Sequence, residues 1–253
     1  MGLPKREYKL FSYKGANYRI CSDYYDLIVT ELKKLRAELE IYLESDPAFF
    51  HALTPLACKP YAPQVAQVMA QAGKACGVGP MAAVAGSFAA LAAEKAILAG
   101  ATEVIIENGG DIFVFSPRPV IIGIFTGKTA LASRLAFRLQ PQDMPLAVCS
   151  SSSRMGHSLS LGDCDLATVV AKEASLADAA ATLACNLVKK PSDLPKALAQ
   201  TLAIKGVLGA LLIKEDEVGL RGWLPELIPH HDQNLMQKIT ADPSNRQFET
   251  FTL

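Results

Sequence analysis

The chain is 253 residues long, half of them apolar and a fifth charged, with 25 basic and 25 acidic side chains that cancel. So high an apolar fraction at zero net charge excludes a disordered chain. The lack of surplus cations argues against a duplex-DNA binder or a polybasic membrane-surface protein, so neither nucleic acid nor membrane is expected as a partner. Alanine stands out, with 37 residues of which 16 lie between positions 51 and 100.

In chain order, MGLPKREYKL has no apolar stretch behind its charges, so no export signal and a cytoplasmic location are expected. Residues 7–20 read as a hairpin turning at Lys14-Gly15. Asp23 then caps an expected helix from Tyr24 to about Glu44, whose apolar Ile28, Leu32, Leu35, Leu39 and Leu43 keep helical spacing until Asp46-Pro47 ends it. A second helix is expected from Pro63 to Lys74, broken at Gly77 and Gly79. A third, Pro80 to Leu98, carries a stripe of Ala82, Ala85, Ala89, Ala93 and Ala96. The uncharged run between Lys74 and Glu94 is long enough to span a bilayer, but its glycines, proline and alanines mark a buried helix instead.

After Gly100 the texture becomes β-rich: EVIIE, DIFVFS, PVIIGIF, RLAFRL, PLAVCS and LATVVA. Helices are expected at 175–188 and 193–203, then a closing hairpin from GVLGALLI and EVGLRG. The tail, 240–253, is polar, although FETFTL has the pattern of an edge strand. The whole, 1–253, reads as one domain of α+β class, with helix pairs packed on a mainly antiparallel sheet. The six cysteines (Cys21, Cys58, Cys76, Cys149, Cys164 and Cys185) form no CxxC pair and are expected as reduced thiols.

Three segments could carry chemistry. Glu107-Asn108-Gly109-Gly110-Asp111 lies between two strand runs. It reads first as a tight hairpin turn, and alternatively as a backbone opening to a phosphate or carbonyl, flanked by Glu107 and Asp111. Ser175 and Asp178 fit a capping box, while Asp178 and Thr182, four apart, share a helix face and offer hard oxygens suited to Mg²⁺. The stretch Cys149-Ser150-Ser151-Ser152-Ser153-Arg154-Met155-Gly156-His157 reads as a loop, either solvated or anion-binding through Arg154. Gly123 to Thr129 is one residue short of a P-loop, His51 is isolated, and His230-His231-Asp232 reads as a solvated tail.

The order of these segments resembles the FAD:protein FMN transferase, or ApbE-like, superfamily over roughly residues 75 to 190, and looks most like a shorter branch of it. The resemblance implies a T-fold-like core and a Mg²⁺-dependent reaction. FAD would be cleaved at its pyrophosphate, FMN passed to a Thr or Ser of a target protein, and AMP released. It implies Asp178, Thr182 and the Ala181 carbonyl as metal ligands, and His157 and Asp178 as catalytic groups. It further implies Gly86, Ser87, Asn108, Gly109, Gly110, Asp111, Ser150, Ser151 and Arg154 beside FAD or FMN. Two segments differ from the family pattern: Met81–Gly86 has Ala85 where the family has lysine, and His157–Gly162 lacks its aspartate, proline and threonine. A flavin-transferring enzyme, a flavin- or nucleotide-binding module and a structural partner protein are therefore all carried forward, and homo-oligomers are allowed.

Overall fold

A computed structural model describes residues 5–125, 135–153 and 162–229. Arg154, His157, the histidine pair and the FETFTL segment lie outside the described residues. Three β hairpins open, centre and close a single antiparallel sheet: β1 (Lys9–Tyr13) with β2 (Ala16–Cys21), β3 (Val104–Asn108) with β4 (Asp111–Phe115), and β9 (Val207–Lys214) with β10 (Glu217–Gly222). Adding β7 (Leu146–Ser151) and β8 (Leu166–Ala171) gives the strand order β1-β2-β3-β4-β7-β8-β9-β10. Between β4 and β7 the chain makes an excursion into a second, three-stranded sheet. That sheet comprises β5 (Val120–Gly123), β6 (Leu135–Leu139) and β11 (Glu226–Pro229), in the order β11-β6-β5.

The period-2 pattern of the strands explains the layering. Val104 and Ile106 of β3, Phe113 of β4, Ala147 of β7 and Ala167 of β8 face the helices. Their neighbours Ile105, Val114, Leu146, Val148 and Leu166 face the small sheet and pack on Val120, Phe137 and Leu139. On the helix side, α4 (Val84–Leu98), α5 (Ala174–Leu187) and α6 (Leu194–Leu202) lie on the sheet. Beyond them, α1 (Tyr25–Ser45) rests on α4, and α3 (Gln64–Cys76) rests on α4 and α5. The five-residue α2 (Pro47–His51) follows α1 directly. The α+β expectation, with helix pairs on antiparallel sheet, holds.

Several local expectations are corrected. Asp23 does not cap α1; the flanking residue is Tyr24, and no side chain bonds the first turn. The third helix is a 3₁₀ turn, Pro80–Ala83, followed by α4. Four-residue β11 carried too little pattern to be read. Cys149 and Ser150, read both in the β-rich run PLAVCS and in the loop, belong with Ser151 to β7. All six cysteines are free thiols.

Alanine decides how closely the helices approach. The segment Pro80–Leu98 is long and apolar enough to cross a membrane, yet Gly86, Phe88, Ala89, Ala92, Ala93 and Ala96 are buried among the other elements. α5 is buried nearly all round, with Ala174, Ala177, Ala179, Ala180, Ala181 and Ala184 each inaccessible to solvent. Where α4 meets α5, the approach is closest to the backbone at Gly86. A Cβ there would stand 2.4 Å from the Ala174 carbonyl oxygen and 2.9 Å from the Asp178 Cβ. Both obstacles are on the neighbouring helix, not on a flexible side-chain tip. Gly86→Ala should therefore destabilise the fold by about 1–3 kcal/mol through overpacking, despite alanine's higher helix propensity. Denaturant melts of the variant beside the parent chain measure this; equal midpoints would remove the close contact from the account.

Candidate functional site

The described parts of the three sequence segments come together at the helix face of the large sheet. Asp178 sits in the second turn of α5 and reaches across to α4. Its Oδ2 accepts the Gly86 N–H at 2.8 Å. Gly86 belongs to the first turn of α4, whose N–H groups lack partners within the helix. Asp178 thus caps the start of α4, not of its own helix. The residue before α5 is Glu173, with no side-chain cap and no Ser175–Asp178 box. A negative group at a helix amino terminus is also favoured by the helix dipole.

The Gly109-Gly110 turn closes on the Asn108–Asp111 pair, and both glycines have positive φ, 64° and 106°. Strict alternation then sorts the neighbours. Asn108 shares the face of Ile106, and its Nδ2 donates to the Ala85 carbonyl at 3.4 Å. Asp111 shares the face of Phe113 and is buried. Glu107 shares the face of Ile105, so it does not flank the same opening. The two serines of β7 part company in the same way. Ser151 lies on the face of Cys149, towards the helices, and is buried. Ser150 points to the small-sheet side, where its hydroxyl is 2.9 Å from that of Thr168. Only its backbone remains near the turn. Ser87 is buried with its hydroxyl donating to the Ala83 carbonyl at 2.6 Å. Thr182 is buried one turn beyond Asp178 on α5, and the carbonyl of Ala181 lies inside the hydrogen-bond ladder of that helix.

The electrostatics single out one pair. Burial pushes the Asp178 carboxyl up to about 7, opposed by the Gly86 and Ala85 N–H groups. Burial also raises Asp111, the charge of Asp178 adds to it, and the Cys149 thiol and Ser150 N–H oppose it. Among the described residues no basic side chain acts on Asp178. Asp111 Oδ1 and Ser151 Oγ are both buried without a hydrogen-bond partner among the described residues. Buried polar atoms in that state are rare in native folds and call for a ligand, ion or water. Two buried carboxylates, both raised by burial and Asp111 further by the charge of Asp178, with an orphaned Asp111 oxygen, suit a hard divalent cation.

Two cysteines near this pair were not singled out from the sequence. Cys149 is buried with its thiol donating to the Ala174 carbonyl at 3.6 Å. Burial raises its pKa, and the charges of Asp111 and Asp178 raise it further. Its alternation with Ala147 in PLAVCS was the available signal. Cys76, at the end of α3, is pushed up to about 12 by burial and then by Asp178. Nothing local marks it, because only the packing of α3 on α5 brings it there.

Comparison with known proteins bears on the family and the fold. A family model described as "AbpE bacteria" matches residues 22–221. The UPF0280 protein of Archaeoglobus fulgidus is 40% identical over 224 residues, covering 86% of this chain and 92% of its own. That of Methanocella arvoryzae is 37% identical over 208 residues, covering 82% and 84%. Among solved structures, the flavin transferase ApbE from Vibrio cholerae aligns with a TM-score of 0.58 at 14% identity, over 86% of this chain and 97% of that one. The apo form of the flavinyl transferase ApbE from Pseudomonas stutzeri gives 0.55 at 13%, over 96% and 100%. At those identities the structures share a fold, which is the T-fold-like one expected. Together with the match over most of the chain, they lead to one assignment: this chain belongs to the ApbE-like superfamily, in the shorter branch formed by the UPF0280 proteins.

Proposed function

We propose that the chain binds a flavin nucleotide together with Mg²⁺ where the Gly109-Gly110 turn, the end of β7 and the start of α4 meet, and that it transfers FMN from FAD to a Thr or Ser of a target protein. The observation that carries the metal is the buried Asp111–Asp178 pair with its unpartnered Oδ1. Asp178 and Thr182 would hold the cation from α5, with Asp111 across from them. A bound Mg²⁺ supplies charge neutralisation on a pyrophosphate, and phosphoryl transfer asks little else of a protein beyond positioning. The chain's own residues would fix the geometry. Asp178 ties α4 to α5, Asn108 ties the turn to α4, and Gly109 leaves open space above the turn. The likeness to structures titled flavin transferases supports the flavin.

Binding without turnover is the second reading, and one residue favours it. Ala85 occupies the position of the family's lysine, so α4 brings no cation to that end of the site.

Incubation with FAD, Mg²⁺ and cell extract as a source of acceptor should release AMP and leave a covalent flavin on protein. Thr182→Val and Asp178→Asn should each lower the rate at least about 100-fold while remaining folded. AMP release that persists in both variants would sink the enzyme reading. A thermal shift with FAD and Mg²⁺ but no AMP would leave binding alone.

A pH signature follows from the raised carboxyl. With Asp178 titrating near 7 when folded and near 3.8 otherwise, the folded chain holds a proton that the unfolded chain has lost between those values. Metal-free stability should therefore fall as pH rises across that window, with the raised Asp111 adding to the fall, and Asp178→Asn should make the fall shallower. A cation favours the ionised pair, so the melting-temperature rise on adding Mg²⁺ should be larger at about pH 8 than at about pH 5. An equal rise at both pH values, or none, would count against metal binding by these carboxylates.

A further inference from the structure

β10 forms one end of the large sheet, and its outer edge is uncovered among the described residues. The other described edges are blunted. At β1 the Tyr25 hydroxyl donates to the Leu10 carbonyl at 3.2 Å, and the Lys9 ammonium lies over the Tyr25 ring. β11 ends on Pro229, and β5 follows Pro117 and Pro119. Proteins normally protect edges in such ways, because a free edge templates another strand. β10 has no proline and, among the described residues, no covering side chain, and it leaves Val218 and Leu220 exposed at 36% and 48%. Trp223, just beyond it, is 44% exposed.

The register shows what this edge would accept. The hairpin closes on Lys214↔Glu217, and the Trp223 N–H donates to the Leu208 carbonyl at 2.8 Å. Positions 217, 219, 221 and 223 therefore turn their backbone groups to β9, while Val218 and Leu220 turn theirs outward. An antiparallel partner must match outward positions with outward positions. A second β10 centred on Gly219 does so: Val218 falls opposite the other copy's Leu220, and Gly219 opposite itself. Glu217 then falls opposite Arg221, twice by symmetry. Neither residue makes an ion pair among the described residues of a single chain. At the centre Gly219 packs on Leu198 of α6 and presents no side chain to obstruct the approach.

We propose that β10 is a homodimer interface, in which two copies pair their β10 strands antiparallel about a two-fold axis at Gly219 and join their eight-stranded sheets into one. The contact is isologous: four outward backbone hydrogen bonds, two Val218–Leu220 pairs on the small-sheet side, and two Glu217–Arg221 pairs on the α6 side. The proposal is independent of the flavin reading, because the residues involved lie outside the Asp111–Asp178 site.

Analytical ultracentrifugation of the full chain should show a monomer–dimer equilibrium at micromolar concentrations. Glu217→Arg or Arg221→Glu alone places like charges opposite each other twice and should weaken the dimer roughly tenfold, while the double reversal restores it. Leu220→Pro removes an outward N–H and an outer-edge side chain but no hydrogen bond to β9, so it should abolish dimerisation with little change in monomer melting temperature. Hydrogen exchange at the Val218 and Leu220 amides should slow as protein concentration rises. A chain that stays monomeric overturns the proposal. So does a dimer indifferent to Leu220→Pro, or a double reversal no better than the single ones.

Discussion

The hydrogen bond from the Gly86 N–H to Asp178 Oδ2 is the contact on which the site depends. It joins two helices that approach too closely for any side chain at position 86. A carboxylate taken from water costs several kcal/mol unless hydrogen bonds or opposite charge offset it. Here the first turn of α4 supplies two N–H groups that would otherwise lack partners. Each deficit answers the other. The strands below follow from this: with α4 held at its amino end, Asn108 can reach the Ala85 carbonyl and the glycine turn is brought to the same place.

What this contact does not offset is the second carboxylate. Asp111 comes from a different strand and is buried on the same face, with one oxygen left without a described partner. Structural carboxylates in this chain are treated differently. Glu103 is bonded by Arg6, Ser116 and Arg118, and those bonds outweigh its burial to hold it down to about 2. The fold can therefore satisfy a part-buried acid fully when that acid serves stability. Asp111 and Asp178 have no such basic partner among the described residues, and burial leaves both carboxyls raised.

Much of the architecture was legible because most strands here are short runs of β-branched and aromatic residues bounded by turn residues. EVIIE, DIFVF and LATVVA are such runs, and Gly-Gly or another two-residue turn between neighbours marked the hairpins of the sheet. Helix spacing gave α1, α3 and α6 to within a few residues. The site was legible only in part, because residue type does not say which face a residue takes. Ser150 and Ser151 read as equivalent in sequence, but a strand separates them by half a turn. Asp178 read as a local cap or a metal ligand; the cap it forms is on a helix 92 residues earlier. Cys76 was invisible for the same reason, since helix-on-helix packing leaves no mark in the local pattern. Asp23 shows the converse: a good capping residue in the right place, left unused because the helix begins at Tyr25.

The methyl-lined seat of α5 has a consequence of its own. α5 packs on β7, β8 and β9, and Ala147, Ala167, Ala171 and Ala210 of those strands share one core with the helix's own Ala177, Ala181 and Ala184. Alanine has no χ angle, so such a surface has no rotamers to hop between. The position of α5 is inherited almost directly from main-chain coordinates. The Asp178 carboxylate is thereby registered against Asp111 with little thermal blur from surrounding side chains, which is the kind of precision a two-point grip on a small ion requires.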